Sequence, residues 1–387
     1  MFIDPEIIRK YIATCSTDTC ICGSGKLFKD CCEIIYSKQE YNPKQLMYES
    51  IKQFGSKKIC MFNQYDKNCS VDIIKAHSIS QKHLSYISNE GHVLSFMKNI
   101  NASTMDETFD IVGLPNPQKI GINDVSIFTG LCKRHDNILF SSFEKNEFVC
   151  SNEQLLDIHL RTILKEKYAK ESALRGINAV KNKRPKNNNS ETIAGFHFAN
   201  YAIGNQLVQK DLQRELDLAV DYKFNNKVVN SLIIEINGSP CVLNSSIVNP
   251  AVNLKGELIQ DYNDINLFVR SFSFNVIPID KNKYYYVFIW IKADVIDNYF
   301  KMMLDMYSEN RLVSLLIQFS FLFSENSAIN PLWWKNLPLI KQSRLKKLFW
   351  DEITSMIIPS KFYSKLRTNI DFNEAKLGEI RLTLAST

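Results

Sequence analysis

Along the chain the spacing of apolar positions changes twice. In "LLDIHLRTILKEKYAKESALRGINAVKNK", Leu156, Ile163, Leu164, Tyr168 and Leu174 fall on one side of a helix, and "RPKNNNSE" ends it in a polar linker. A second helix is expected over 196–220. The period then drops to two. "SLIIEINGSPCVLNSSIV" reads as two strands about an Asn237-Gly238-Ser239-Pro240 turn, and "FSFNVIPIDKNKYYYVFIWIKA" as two more about Asp280-Lys281-Asn282-Lys283. Together they predict an antiparallel meander. Beyond Asp294 helical spacing returns, first in "IDNYFKMMLDMYSENRLVSLLIQFSFLF" and then, after Pro331, in "WWKNLPLIKQSRLKKLFWDEITSMI". Helices segregated from an antiparallel sheet define an α+β fold class.

Length and composition sharpen this picture in three ways. A chain of 387 residues, 45% hydrophobic, can bury a large core and is expected to form two or three domains. The opening "MFIDPEIIRKYIA" contains acids and no long apolar run, so neither a signal peptide nor a membrane span is expected, and a cytoplasmic location follows. Ten cysteines in such a chain read as metal ligands and free thiols, and seven of them lie in the first 70 residues. The net charge of +6 is modest, but 161–186 holds nine Lys or Arg against two Glu. Walker loops, dinucleotide fingerprints, nucleophile elbows and internal repeats are absent from the sequence.

The densest chemistry is "CICGSGKLFKDCC". Cys20, Cys22, Cys31 and Cys32 flank a glycine turn, as a tetrahedral zinc site requires. Metal binding at such a site is worth on the order of 10 kcal/mol, enough to fold a segment with no core of its own. The stretch resembles the SEC-C zinc motif, an accessory or interaction module of many otherwise unrelated proteins. Four thiolates leave no open coordination position, so this knuckle is expected to be a brace or a docking surface.

A second set follows in "CMFNQYDKNC" and "TGLCKRHDNILF", where Cys60, Cys69, Cys132 and His135 make two ligand pairs separated by a long insertion. Between them "VDIIKAHSIS" reads as a strand that presents His77. This order resembles the HNH, or ββα-metal, nuclease finger, in the versions whose catalytic strand reads A-H-I-x-P. Ala76 stands where many of these enzymes carry a metal-binding aspartate. The resemblance implies His77 as general base, with Asp136 and, secondarily, Asn137 holding a catalytic Mg2+ or Mn2+ that stabilises charge on the phosphate. His83 and His92 are open to substrate contact, an alternative zinc role or a structural one. His159 and His197 read as core or surface residues, and Trp290, Trp333, Trp334 and Trp350 as core.

These readings predict a SEC-C-like knuckle (1–40), an HNH-like finger (57–150), a basic helical connector (151–190) and an α+β domain of unassigned role (191–387). Two structural zinc ions are expected. Arg161, Lys165, Lys167, Lys170, Lys181, Lys183 and Arg184 are positioned to track a nucleic-acid backbone, DNA in preference to RNA, although basic helical faces are commonly just solvated. The functional expectation is a metal-dependent endonuclease serving defence against foreign DNA. Its alternative is a non-catalytic zinc adaptor whose knuckle or C-terminal domain binds a protein or small ligand.

Overall fold

A computed structural model describes residues 57–96, 110, 113–180, 184–185, 191–262, 264, 266–306, 309–354, 366, 372 and 375–385, together with 26–27, 30 and 40–41. The chain divides into two compact units. One comprises Met1–Ile59, Lys167–Arg214 and Asp261–Phe268, and the other Cys60–Glu166, Glu215–Gln260 and Val269–Thr387. Among the described residues no helix is long and apolar enough to cross a membrane.

The larger unit begins with strand β1 (Ile73–His77), helix α1 (Gln81–Ile87), strands β2 (His92–Ser95), β3 (Gln118–Gly121) and β4 (Ile127–Cys132), and helix α2 (Lys133–Glu144). Two long helices, α3 (Asn152–Val180) and α4 (Glu191–Phe224), each contribute to both units. Four strands follow, β5 (Asn230–Asn237), β6 (Val242–Val248), β7 (Phe272–Pro278) and β8 (Lys283–Trp290). Helices α5 (Asp294–Met306) and α6 (Glu309–Leu322), strand β9 (Ser327–Ile329), helices α7 (Pro331–Asn336) and α8 (Leu339–Thr354), and strand β10 (Lys376–Thr383) complete the unit. Mixed helices and antiparallel strands make the expected α+β class.

Eight strands form one sheet in the order β10-β5-β8-β7-β6-β9-β2-β3, antiparallel throughout. β1 pairs separately with β4. The expected hairpin at Asp280–Lys283 is present, with Tyr284 opposite Pro278. The expected hairpin of β5 with β6 is not. Both strands lie where the period-two pattern puts them, but β5 pairs with β8 over eight residues, from Asn230 opposite Trp290 to Asn237 opposite Lys283. Its other edge takes β10. With both edges of β5 occupied, β6 pairs instead with β7 and β9, and Gly238 donates its N–H to Asn282 in the neighbouring turn. The sheet is therefore not a meander.

Strand β7 shows how sequence sets the two faces. In "FSFNVIP" alternate side chains point to opposite sides. Phe272 and Phe274 meet Phe319 of α6, Phe272 also meets Phe300 of α5, and Phe274 stacks on Phe288 of β8 at 4.7 Å between centroids. Trp290 joins this core and donates its indole N–H to Asp297 at 2.7 Å. Ser273 and Asn275 point to the other side, where α3 lies. There His159, fully buried, sits with Nδ1 2.9 Å from the Ser273 hydroxyl, and Thr162 Oγ1 lies 3.1 Å from Asn275 Oδ1. One face is thus aromatic and the other carries a polar seam.

Within the smaller unit, Tyr168 donates its hydroxyl to the Lys57 carbonyl at 2.8 Å, Lys167 pairs with Glu171 at 2.5 Å, and the Arg214 guanidinium lies over the Phe268 ring.

Candidate metal centre

Cys60, Cys69, Cys132 and His135 come together in the larger unit, their donor atoms all within 4.8 Å of one another. Local sequence explains how. A short 3-10 turn, Met61–Gln64, turns the chain after Cys60 so that Cys69 lies back beside it. The Cys-x-x-His spacing then puts Cys132 at the N-cap of α2 and His135 one turn later on the same side. The Cys132 sulfur accepts from the His135 N–H at 3.4 Å, so it also closes the helix end.

The geometry suits zinc. His135 Nδ1 lies 3.1, 3.6 and 3.3 Å from the sulfurs of Cys60, Cys69 and Cys132. A tetrahedral ion with ordinary Zn–S and Zn–N bonds would set these separations at about 3.5 Å. Three soft sulfurs and one imidazole are the donor set of a closed structural site. Such a site would brace the segment and supply no catalysis of its own.

A carboxylate completes the arrangement. Asp66 Oδ2 lies 3.1 Å from His135 Nε2, which assigns the proton to Nε2 and the lone pair to the Nδ1 that faces the sulfurs. Arg134 holds that carboxylate at 2.6 Å and donates to the Asn68 carbonyl at 2.7 Å. The Arg134 contact, the Asn68 N–H and His135 together hold the Asp66 carboxyl well below the usual range. The thiols are not equivalent. Burial pushes Cys60 up to about 12, whereas at Cys132 burial is outweighed by hydrogen bonds from the His135 and Ser70 regions, which bring it down to about 6. Cys132 therefore ionises first. Sequence reasoning found the four ligands but not Asp66 and Arg134; an acid between the two cysteines of "CMFNQYDKNC" and a base beside the histidine were the available signals.

The other expected site residues are placed as follows. His77 closes β1 opposite Ile127 of β4, half-buried, with Nε2 3.3 Å from the Ile122 carbonyl. Just beyond it Ser126, at φ +58°, receives Ser78 N–H on its carbonyl at 2.9 Å and Ile79 N–H on its hydroxyl at 3.1 Å. The strand end that presents His77 is thus doubly anchored. Asp136 sits on the first turn of α2 with its carboxylate 3.7 Å from the Arg161 guanidinium, and burial raises its pKa against the pull of that arginine. A divalent cation at Asp136 would stand against the guanidinium, so this carboxylate does not fit Mg2+ or Mn2+ as placed. Asn137 is exposed.

Arg161 is buried, 2% exposed, paired with Glu144 at 2.5 Å and stacked 4.2 Å over the Phe140 ring. Its charge serves the interior of the unit and does not face solvent. Lys165 and Lys167 are largely covered and pair with Glu166 and Glu171, and Lys170 is half-buried. Arg184 is described in backbone pairing, Pro185 opposite Tyr41, while Lys181 and Lys183 lie outside the described residues. So do Cys20, Cys22, Cys31 and Cys32.

Comparison with known proteins adds one finding. Residues 17–34 match the SEC-C motif family model. The match covers the first cysteine cluster alone, and with the Cys/His cluster it marks a protein with zinc-binding character. No curated protein and no solved structure matches the chain.

Proposed function

We propose that the Cys/His cluster holds a structural zinc ion and braces an HNH-type finger that acts on nucleic acid, with His77 as general base, in a protein suited to defence against foreign DNA. The observation that carries this reading is the order β1, β4, α2: an antiparallel pair leading into a helix, with the four donors at the helix start and a histidine at the far end of β1. Hydrogen bonding of His77 Nε2 to a carbonyl leaves the basic lone pair on Nδ1, the form a general base requires. Ser126 at positive φ is the kind of constrained position found at sites that must hold one geometry.

The test is metal content together with cleavage of plasmid DNA, single-stranded DNA and RNA in the presence of Mg2+ or Mn2+. The expected result is two zincs per chain and cleavage that His77→Ala abolishes without loss of zinc. Cleavage unchanged in that variant, or no cleavage of any substrate by the unaltered protein, would overturn the catalytic role. The second reading, a zinc-stabilised adaptor, draws on the Asp136–Arg161 pair, which ties up the carboxylate a nuclease would use.

A further inference from the structure

A small cavity of about 20 Å³ lies beside the end of β1, lined by Ser78, Ser80, His83, Arg161, Asn244 and Asn275. It exceeds the roughly 10–15 Å³ that one water needs. All its residues belong to the larger unit.

Its polar groups are unusually short of partners. Arg161 is 2% exposed and uses Nη2 on Glu144, yet Nε and Nη1 have no hydrogen-bond partner. Asn275 is 4% exposed; its Oδ1 lies by Thr162, and its Nδ2 has no partner. The Asn244 amide is oriented by donation from Nδ2 to the Phe274 carbonyl, which leaves its Oδ1 as a buried acceptor without a partner. Buried donors and acceptors left unpaired lose their hydration without return, so a cluster of them calls for an occupant. The required occupant is compact, negatively charged, rich in acceptors, and carries one proton to give. Glu144, 30% exposed, reaches Arg161 from the solvent side and is free to swing away as an anion enters.

We propose that this cavity binds a single phosphate group, with its oxygens accepting from Arg161 and Asn275 and its one P–OH donating to Asn244 Oδ1. Two sources share that chemistry, inorganic phosphate and the terminal phosphate of a nucleotide. The inference stands on the cavity and does not depend on cleavage. Sulfate serves as the discriminating control because at neutral pH it carries no proton for Asn244.

The experiment is calorimetric titration of the full-length zinc-containing protein with inorganic phosphate, with sulfate at equal ionic strength, and with a 5′-phosphorylated dinucleotide. Saturable one-site binding of phosphate is expected, at least tenfold tighter than sulfate. Asn275→Asp, which exchanges a donor for a charged acceptor, should weaken it at least tenfold. Competition by the dinucleotide would identify a terminal phosphate as the occupant, and its failure to compete would identify the free ion. Crystals soaked in tungstate provide a readout that needs no variant: an anomalous peak is expected within the cavity. Equal, unsaturable responses to phosphate and sulfate, undiminished phosphate binding by a folded Asn275→Asp protein, or a tungstate-free cavity would each overturn the proposal.

Discussion

Asp66 touches no sulfur, yet it fixes which nitrogen of His135 carries the proton, and so whether the ring can serve as a ligand at all. Asp66→Asn should therefore weaken zinc binding about 10- to 100-fold, read by competition with a chromophoric chelator, with little change in the folded structure at saturating zinc. His83 gives a second prediction at this scale. Burial, with Lys82 and Arg161 nearby, lowers its pKa from 6.5 to about 3. The unfolded chain takes up a proton below about pH 6.5 that the folded state refuses until about pH 3. The contribution of this group is thus complete above pH 6.5 and is lost as pH falls toward 3, by at most about 1.4 kcal/mol per pH unit. His83→Phe should flatten that part of the stability profile in urea titrations run at several pH values. Residue types at fixed spacing made the four ligands legible in the sequence. The unpaired polar atoms of Arg161, Asn244 and Asn275 were not legible, because they come from three separate elements that only tertiary packing brings together.

At the scale of elements, period-two alternation located β5 to β8, and helical spacing located α3 to α6, because each pattern reports burial of one face. Pairing was a different matter. Asn237-Gly238 reads as a hairpin turn, but Gly238 instead accommodates a close approach: a Cβ there would stand 2.7 Å from the Cβ of Ala375, on the segment leading into β10. Gly238→Ala should cost about 1–3 kcal/mol, seen as a lower urea midpoint, because it pushes β10 away from β5. β10 itself, with its exposed and half-buried side chains and a break in register between Leu377 and Ile380, carries too weak an alternation to be read as a strand. The short helix α7 offers a further test. Asn330 caps it by accepting from the N–H groups of Leu332 and Trp333, so Asn330→Ala should lower stability by about 1 kcal/mol in the same measurement.

For the whole molecule, the strands flanking the cysteine-rich segment do not stand apart from the C-terminal half: β9 pairs with β6 on one side and β2 on the other, so residues near 94 and 243 share one sheet through Ala328 and Ile329. Chelation of zinc should consequently lower the melting temperature of the larger unit's transition rather than release an independent small transition, as scanning calorimetry before and after chelator would show. Such long-range pairing leaves no local mark in the sequence. The insertion of the β7–β8 hairpin between β5 and β6 has a consequence for biosynthesis. When β5 and β6 leave the ribosome they have neighbours in sequence but none in space, and the strand that joins them to β2 and β3 is made some eighty residues later still. A nascent chain halted before Phe272 should expose two unsatisfied strand edges and remain open to proteases and chaperones, and protection should appear only once Ile329 has emerged.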